Sequence, residues 1–177
     1  MEYNLYYSVS NKTSDDIIYI SCILYKDSTD GLPWLKELIE YKCESNKKGS
    51  DLFFIGLMKA TEWLCRLYDG RLIGSIGNKI IINSSYHQML KSIKKQDFTN
   101  NEKEIIRRLK VSHKRLEKVF DVYYREIGKA DNLSYLYLRR LHTKKNLLKV
   151  KSSDYELKKT NRKRKSKNKI QRWEVKI

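Results

Sequence analysis

Several things are scarce in this chain, and each scarcity excludes something. No run of about 20 apolar residues occurs, so no membrane-spanning helix is expected. Met1 to Ser10 has no basic start followed by an apolar stretch, so no secretory signal is expected and the chain reads as intracellular and non-secreted. The three cysteines, Cys22, Cys43 and Cys65, stand alone in apolar surroundings. No CxxC and no Cys/His spacing links them, which argues against a zinc site and for buried free thiols in a reducing compartment. The single proline, Pro33, sits in a loop. The run Gly74-Ser75-Ile76-Gly77 lacks the length and the lysine of a phosphate-binding loop and reads as a turn. Acids are the scarcest relative to need: 21 Asp+Glu face 38 Lys+Arg, a formal charge of +17. Such an excess favours polyanions, because each phosphate contact releases condensed counterions.

What is present is enough for one domain: 177 residues, 40% of them hydrophobic. Tyr3 to Ser10 alternates and predicts a strand, and Ile17 to Tyr25, rich in β-branched residues, predicts its antiparallel hairpin partner. Leu35 to Cys43 alternates as a third strand. From Ser50 the pattern changes to helical steps: Phe53, Gly56, Leu57, Ala60 and Leu64 share a stripe, with Gly56 and Ala60 small enough to press against a flat partner. Lys79 to Ile82 predicts a buried parallel strand ending at Asn83, and in open α/β sheets such strand ends are where ligands bind. Ser84 to Lys94 predicts a helix; a further helix runs to about Leu116, with Ile105, Ile106, Leu109 and Leu116 beside a basic face of Arg107, Arg108, Lys110, Lys114 and Arg115. Val119 to Arg125 predicts the last strand, and Asp131 opens a helix to about Leu148 with Leu133, Leu136, Tyr137 and Leu141 inward. The order is β-β-β-α-β-α-α-β-α over residues 1–148, followed by a basic tail over 149–177.

That order, with its local motifs, resembles the ribonuclease H family over Tyr3 to about Leu148. Tyr6-Tyr7-Ser8-Val9-Ser10 stands where the family's first strand carries a Tyr-Thr-Asp-Gly-Ser type motif. Gly56, Ala60, Glu62 and Trp63 fit the register of its first helix, Ile82-Asn83-Ser84 the end of its fourth strand, and Ala130-Asp131-Asn132-Leu133-Ser134 the opening of its last helix. The stretch Val122 to Glu126 is similar to the strand before that helix in shorter members. The resemblance implies an α/β fold: a five-stranded mixed sheet with helices on both faces.

It also implies where chemistry would sit. Ribonuclease H cleavage needs a carboxylate cluster holding two Mg²⁺ ions. The resemblance places those acids at Ser8, Phe53, Asn83 and Asp131, and only Asp131 is acidic. Serine and asparagine add no charge, and phenylalanine cannot coordinate. The chain therefore reads as a catalytically degraded member that needs no cofactor. The open alternative is a divergent active enzyme, Mg²⁺-dependent on RNA–DNA hybrid, that recruits Asp51, Asp15 or Asp16 beside Asp131. For Asp131 alone, a plain helix-opening role is also open.

The partner expected is nucleic acid, RNA or an RNA-containing duplex or assembly by preference. It would be gripped by the basic helix and by Lys158, Lys159, Arg162, Lys163, Arg164, Lys165, Lys167, Lys169 and Arg172, a block of cations without an acid. Tyr6, Tyr7 and Tyr86 fall near the implied site and could stack on bases. A third reading is a protein-interaction scaffold, in which the inactive groove or the alternating Ile170, Trp173, Val175 and Ile177 docks a protein. His87, His113 and His142 share no spacing and read as solvent-facing, His87 being the one beside the implied site. The richness in Lys, Ile, Asn and Tyr is the bias of an AT-rich genome, such as that of a virus or phage.

Overall fold

A computed structural model of the chain describes residues 1–27, 30–44, 49–74, 78–99, 101–149 and 172–173, the last two and 143–149 through their backbone only. The sheet is built outward from β1 (Glu2–Val9), whose two faces are both covered. Tyr3, Leu5 and Tyr7 join the main core, while Tyr6 packs with Ile23 and Tyr25 on the opposite face. Burial on both sides is what near-continuous apolar strands require. β1 pairs antiparallel with β2 (Ile17–Lys26), which pairs antiparallel with β3 (Leu35–Lys42). On its other side β1 runs parallel to β4 (Lys79–Ser84), and β4 parallel to β5 (Asp121–Glu126). The spatial order is β3-β2-β1-β4-β5, a mixed five-stranded sheet, extended by a two-residue strand, β6 (Arg172–Trp173), antiparallel to β5.

Three helices cover one face: α1 (Gly49–Asp69), α2 (His87–Lys95) and α3 (Lys103–Glu117). The fourth, α4 (Leu133–Lys149), covers the other, against β1 and β2. The small stripe on α1 acts as expected: a Cβ on Gly56 would run into Val9 Cγ2 and touch the Tyr7 ring. The buried side of α1 is wider than that stripe, because Ile55 and Trp63 are buried as well. Its second contact is α3, where Thr61 Oγ1 lies 2.7 Å from Ser112 Oγ.

Boundaries move by a few residues, each for a visible reason. β4 continues through Ser84, whose hydroxyl accepts the Tyr86 N–H at 3.2 Å, so α2 starts at His87 rather than Ser84. The N–H groups of Val119 and Phe120 still bond the Leu116 carbonyl, which delays β5 to Asp121. On α4 the deepest positions are Ser134 and Leu138 rather than Leu136, so its buried stripe is rotated from the one expected. His113 corrects the reading of the histidines. It is fully buried, because it falls three and four residues from Leu116 and Leu109 on the apolar stripe of α3.

Candidate functional site

The C-terminal ends of β1 and β4, the first turns of α1 and the start of α4 meet at one edge of the sheet. Phe53 reaches this edge from α1 and lies flat on the Tyr86 ring, centroids 4.1 Å apart and planes 19° from parallel. The Tyr86 hydroxyl accepts the Val9 N–H at 2.8 Å and lies 3.1 Å from Ser8 Oγ. Burial pushes that hydroxyl's pKa up, against the opposing pull of its bonds to Ser8 and Val9. Tyr7, one residue back on the other face of β1, holds Ser84 Oγ at 3.1 Å and Met89 Sδ at 3.2 Å. The edge is thus tied by hydroxyls and rings.

From the far side Asn132 closes the cluster. Its Nδ2 donates to the Tyr7 carbonyl at 3.0 Å and to Ser85 Oγ at 3.2 Å, while its Oδ1 accepts the N–H groups of Ser134 and Tyr135. One buried side chain both caps α4 and fastens it to β1 and to Ser85, the residue after β4. The helix-opening role that the sequence left open for Asp131 therefore belongs to Asn132. The signal was readable: an Asn directly before an apolar-periodic Leu-Ser-Tyr-Leu is an N-cap pattern.

Ser8 and Phe53 come together through Tyr86. Asn83 pairs across the parallel ladder with Tyr6, two residues short of Ser8, so the same register carries Ser85 to the level of Ser8. Fully buried, Asn83 donates to the carbonyls of Leu5 and Ile81 at 3.2 and 3.3 Å. Asp131 lies half-buried before α4, its N–H bonded to the Gly128 carbonyl at 3.0 Å. Its charge acts on Tyr6: burial raises that hydroxyl's pKa, Arg125 opposes the rise, and Tyr25 and Asp131 add to it.

A pair of Mg²⁺ ions needs several anionic oxygens converging. Here a hydroxyl, a stacked phenyl ring and a carboxamide already bonded to backbone carbonyls stand at three of the four places, and these side chains do not fit such a pair. Asp51 is buried and accepts a hydrogen bond from Asn101 Nδ2, and Asp16 pairs with Lys12 in the β1–β2 turn. Among the described residues, no three His, Cys, Asp or Glu side chains gather to hold a metal ion.

The basic face of α3 is largely matched by acids. Arg107 is held by Glu104, Arg108 by Glu62 on α1 at 2.6 Å, and Arg115 by Asp69. Lys110 lies over the Phe98 ring, 5.1 Å from its centroid, and Lys114 is exposed. Lys158 to Lys169 lie outside the described residues, as do Ile170, Val175 and Ile177. Arg172 is described through its backbone in β6.

No family model matches the chain, and no curated protein matches it in sequence. Solved structures do match. Ribonuclease H1 from the compost isolate LC11 superposes with a TM-score of 0.59 at 12% identity, over 82% of this chain and 98% of that one. The N-terminal ribonuclease H domain of a Mycobacterium tuberculosis protein gives 0.57 at 7% identity, over 85% and 99%. Ribonuclease H1 from the archaeon Halobacterium salinarum gives 0.54 at 16% identity, over 75% and 89%. The strand order, the mixed strand directions and the division of helices between two faces give this chain the ribonuclease H-like fold.

Proposed function

We propose that this chain is a nucleic-acid-binding protein on a ribonuclease H-like scaffold that does not cleave what it binds, its partner being RNA or an RNA-containing duplex. One observation carries the reading: at the strand-end edge, where the resemblance implies carboxylates, Phe53 and Tyr86 form a stacked aromatic pair bonded to Ser8. Aromatic faces stack on bases irrespective of sequence, and lysines and arginines neutralise phosphates, so affinity comes with little sequence preference. The compost LC11 ribonuclease H1 was also solved in complex with an RNA/DNA hybrid, which supports a partner of that chemistry. The chain's charge of +17 supports it independently. Among the described residues no helix is long and apolar enough to cross a membrane.

The test is a titration of labelled RNA–DNA hybrid and single-stranded RNA, run beside a cleavage assay in Mg²⁺ and in Mn²⁺. The expected outcome is binding that weakens steeply with salt, with the nucleic acid recovered intact. Phe53→Ala is expected to weaken binding by about 5-fold or more, from the roughly 1–3 kcal/mol of one base–aromatic stack. Metal-dependent cleavage that Asp131→Asn abolishes would overturn the proposal in favour of an active enzyme. Binding to neither nucleic acid would favour a protein-docking scaffold.

A further inference from the structure

A concavity of about 290 Å³ lies between α2 and β5, its lining beginning at His87, the residue after Tyr86. Its apolar lining is Leu90 and Ile93 from α2 and the ring of Tyr124 from β5. Tyr124 is 2% exposed, and behind it His113 stacks nearly parallel, centroids 5.6 Å apart at 9°. The Tyr124 hydroxyl is buried and has no hydrogen-bond partner among the described residues, although buried polar groups are nearly always paired. The lining thus contains an unmet hydrogen bond.

The rim has the opposite character. His87, Lys91, Lys94 and Lys95 occupy positions i, i+4, i+7 and i+8 of α2, so they line one side of that helix along the opening. The one acid among the described lining residues, Glu126, is engaged with His87 Nδ1 at 2.8 Å. An apolar, aromatic-floored pocket with convergent polar groups has the make-up of a small-molecule site, and its size falls just below the usual range of roughly 300–1,000 Å³. Three lysines favour a head group carrying more than one negative charge.

We propose that this pocket binds a nucleoside monophosphate unit, with the base against Tyr124, Leu90 and Ile93 and the phosphate on the lysines of α2. The unit can be a free nucleotide or the 5′-phosphorylated end of an oligonucleotide; both present the same chemistry. The proposal does not depend on the strand-end reading, since the two sites share no residue.

Isothermal titration of the full chain with AMP and CMP tests it, with adenosine, inorganic phosphate and octanoate as separate probes and a 5′-phosphorylated trinucleotide as the second source. Saturable binding is expected for a mononucleotide, the trinucleotide or both, and the tighter of the two identifies the source. Adenosine and phosphate alone should bind at least about 10-fold more weakly, a loss of about 1.4 kcal/mol. The double variant Lys91→Gln/Lys95→Gln, both exposed positions, should lose at least as much. No saturable binding of any phosphorylated probe up to about 1 mM, octanoate binding as tightly as AMP, or indifference to the lysine variant would each overturn the assignment.

Discussion

Asn132 is the side chain on which the start of α4 depends, because its two ends do different work. The oxygen satisfies two N–H groups of the helix, and the nitrogen satisfies a β1 carbonyl and Ser85. Asn132→Ala removes the cap and leaves a buried carbonyl unpaired, so a loss of about 2–4 kcal/mol is expected in urea unfolding. Asn132→Asp keeps the acceptor and loses the donor beside the Tyr7 carbonyl; its stability should fall between wild type and alanine. A second residue-scale expectation concerns His113. Burial holds its pKa below the ordinary histidine value, while the neighbouring Glu117 carboxylate pulls it back up. The unfolded chain therefore takes up the proton first on acidification, and stability is lost as pH falls below the ordinary histidine range of about 6.5. The slope cannot exceed about 1.4 kcal/mol per pH unit, one proton's worth. Melting temperatures measured from about pH 7 to pH 5 should fall for the wild type and fall less for His113→Phe, which keeps a ring against Tyr124 and has nothing to titrate. An equal acid slope in both would place the proton uptake elsewhere.

Between elements, the tightest approach is α1 over β1, and Gly56 makes it possible. Gly56→Ala should raise helix propensity by about 1 kcal/mol yet lower overall stability by about 1–3 kcal/mol, because the new methyl meets Val9 and the Tyr7 ring. Gly49, at the start of the same helix, has open space at its Cβ position, and Gly49→Ala provides the control. Comparing the two by denaturant midpoint separates a packing effect from a propensity effect. This close approach was legible in the sequence, since Gly56 and Ala60 one turn apart on an apolar stripe have few other uses. The order of the elements was legible too, because strands with period two and helices with period near 3.6 alternate with little overlap. What the sequence hid depends on which element packs where. Thr61 is buried because α3 packs beside α1 and meets it through Ser112, and the pairing of Arg108 with Glu62 belongs to the same contact. At the strand-end edge, motif spacing aligned Asn83 with an acid position, but the parallel register sets Ser85 level with Ser8, and register is fixed by pairing rather than by spacing along one strand. The partnership of Phe53 with Tyr86 joins residues 33 apart in sequence and left no local pattern to read.

For the molecule as a whole, charge is divided unevenly between parts that can act on a polyanion. On α3, Arg107, Arg108 and Arg115 already hold acids, so a phosphate must share or displace those partners and gains less than from a cation held by water alone. The block from Lys158 to Arg172 contains no acid in sequence, and its last member is fixed by backbone pairing of Arg172 with Arg125 at the sheet edge. If most of the binding free energy is counterion release, that block should dominate the salt dependence. A chain with Lys158, Lys159, Arg162, Lys163, Arg164, Lys165, Lys167 and Lys169 all changed to Gln, Arg172 and Trp173 kept so that β6 is retained, isolates this contribution. Its log–log plot of single-stranded RNA affinity against salt should be shallower than that of the wild type by about 0.7 for each contact removed. Residual binding should still respond to Phe53→Ala, because stacking at the strand-end edge needs no tail. A slope that did not change would move the polyanion contacts onto the folded domain, and the ion pairs of α3 would then have to open on binding.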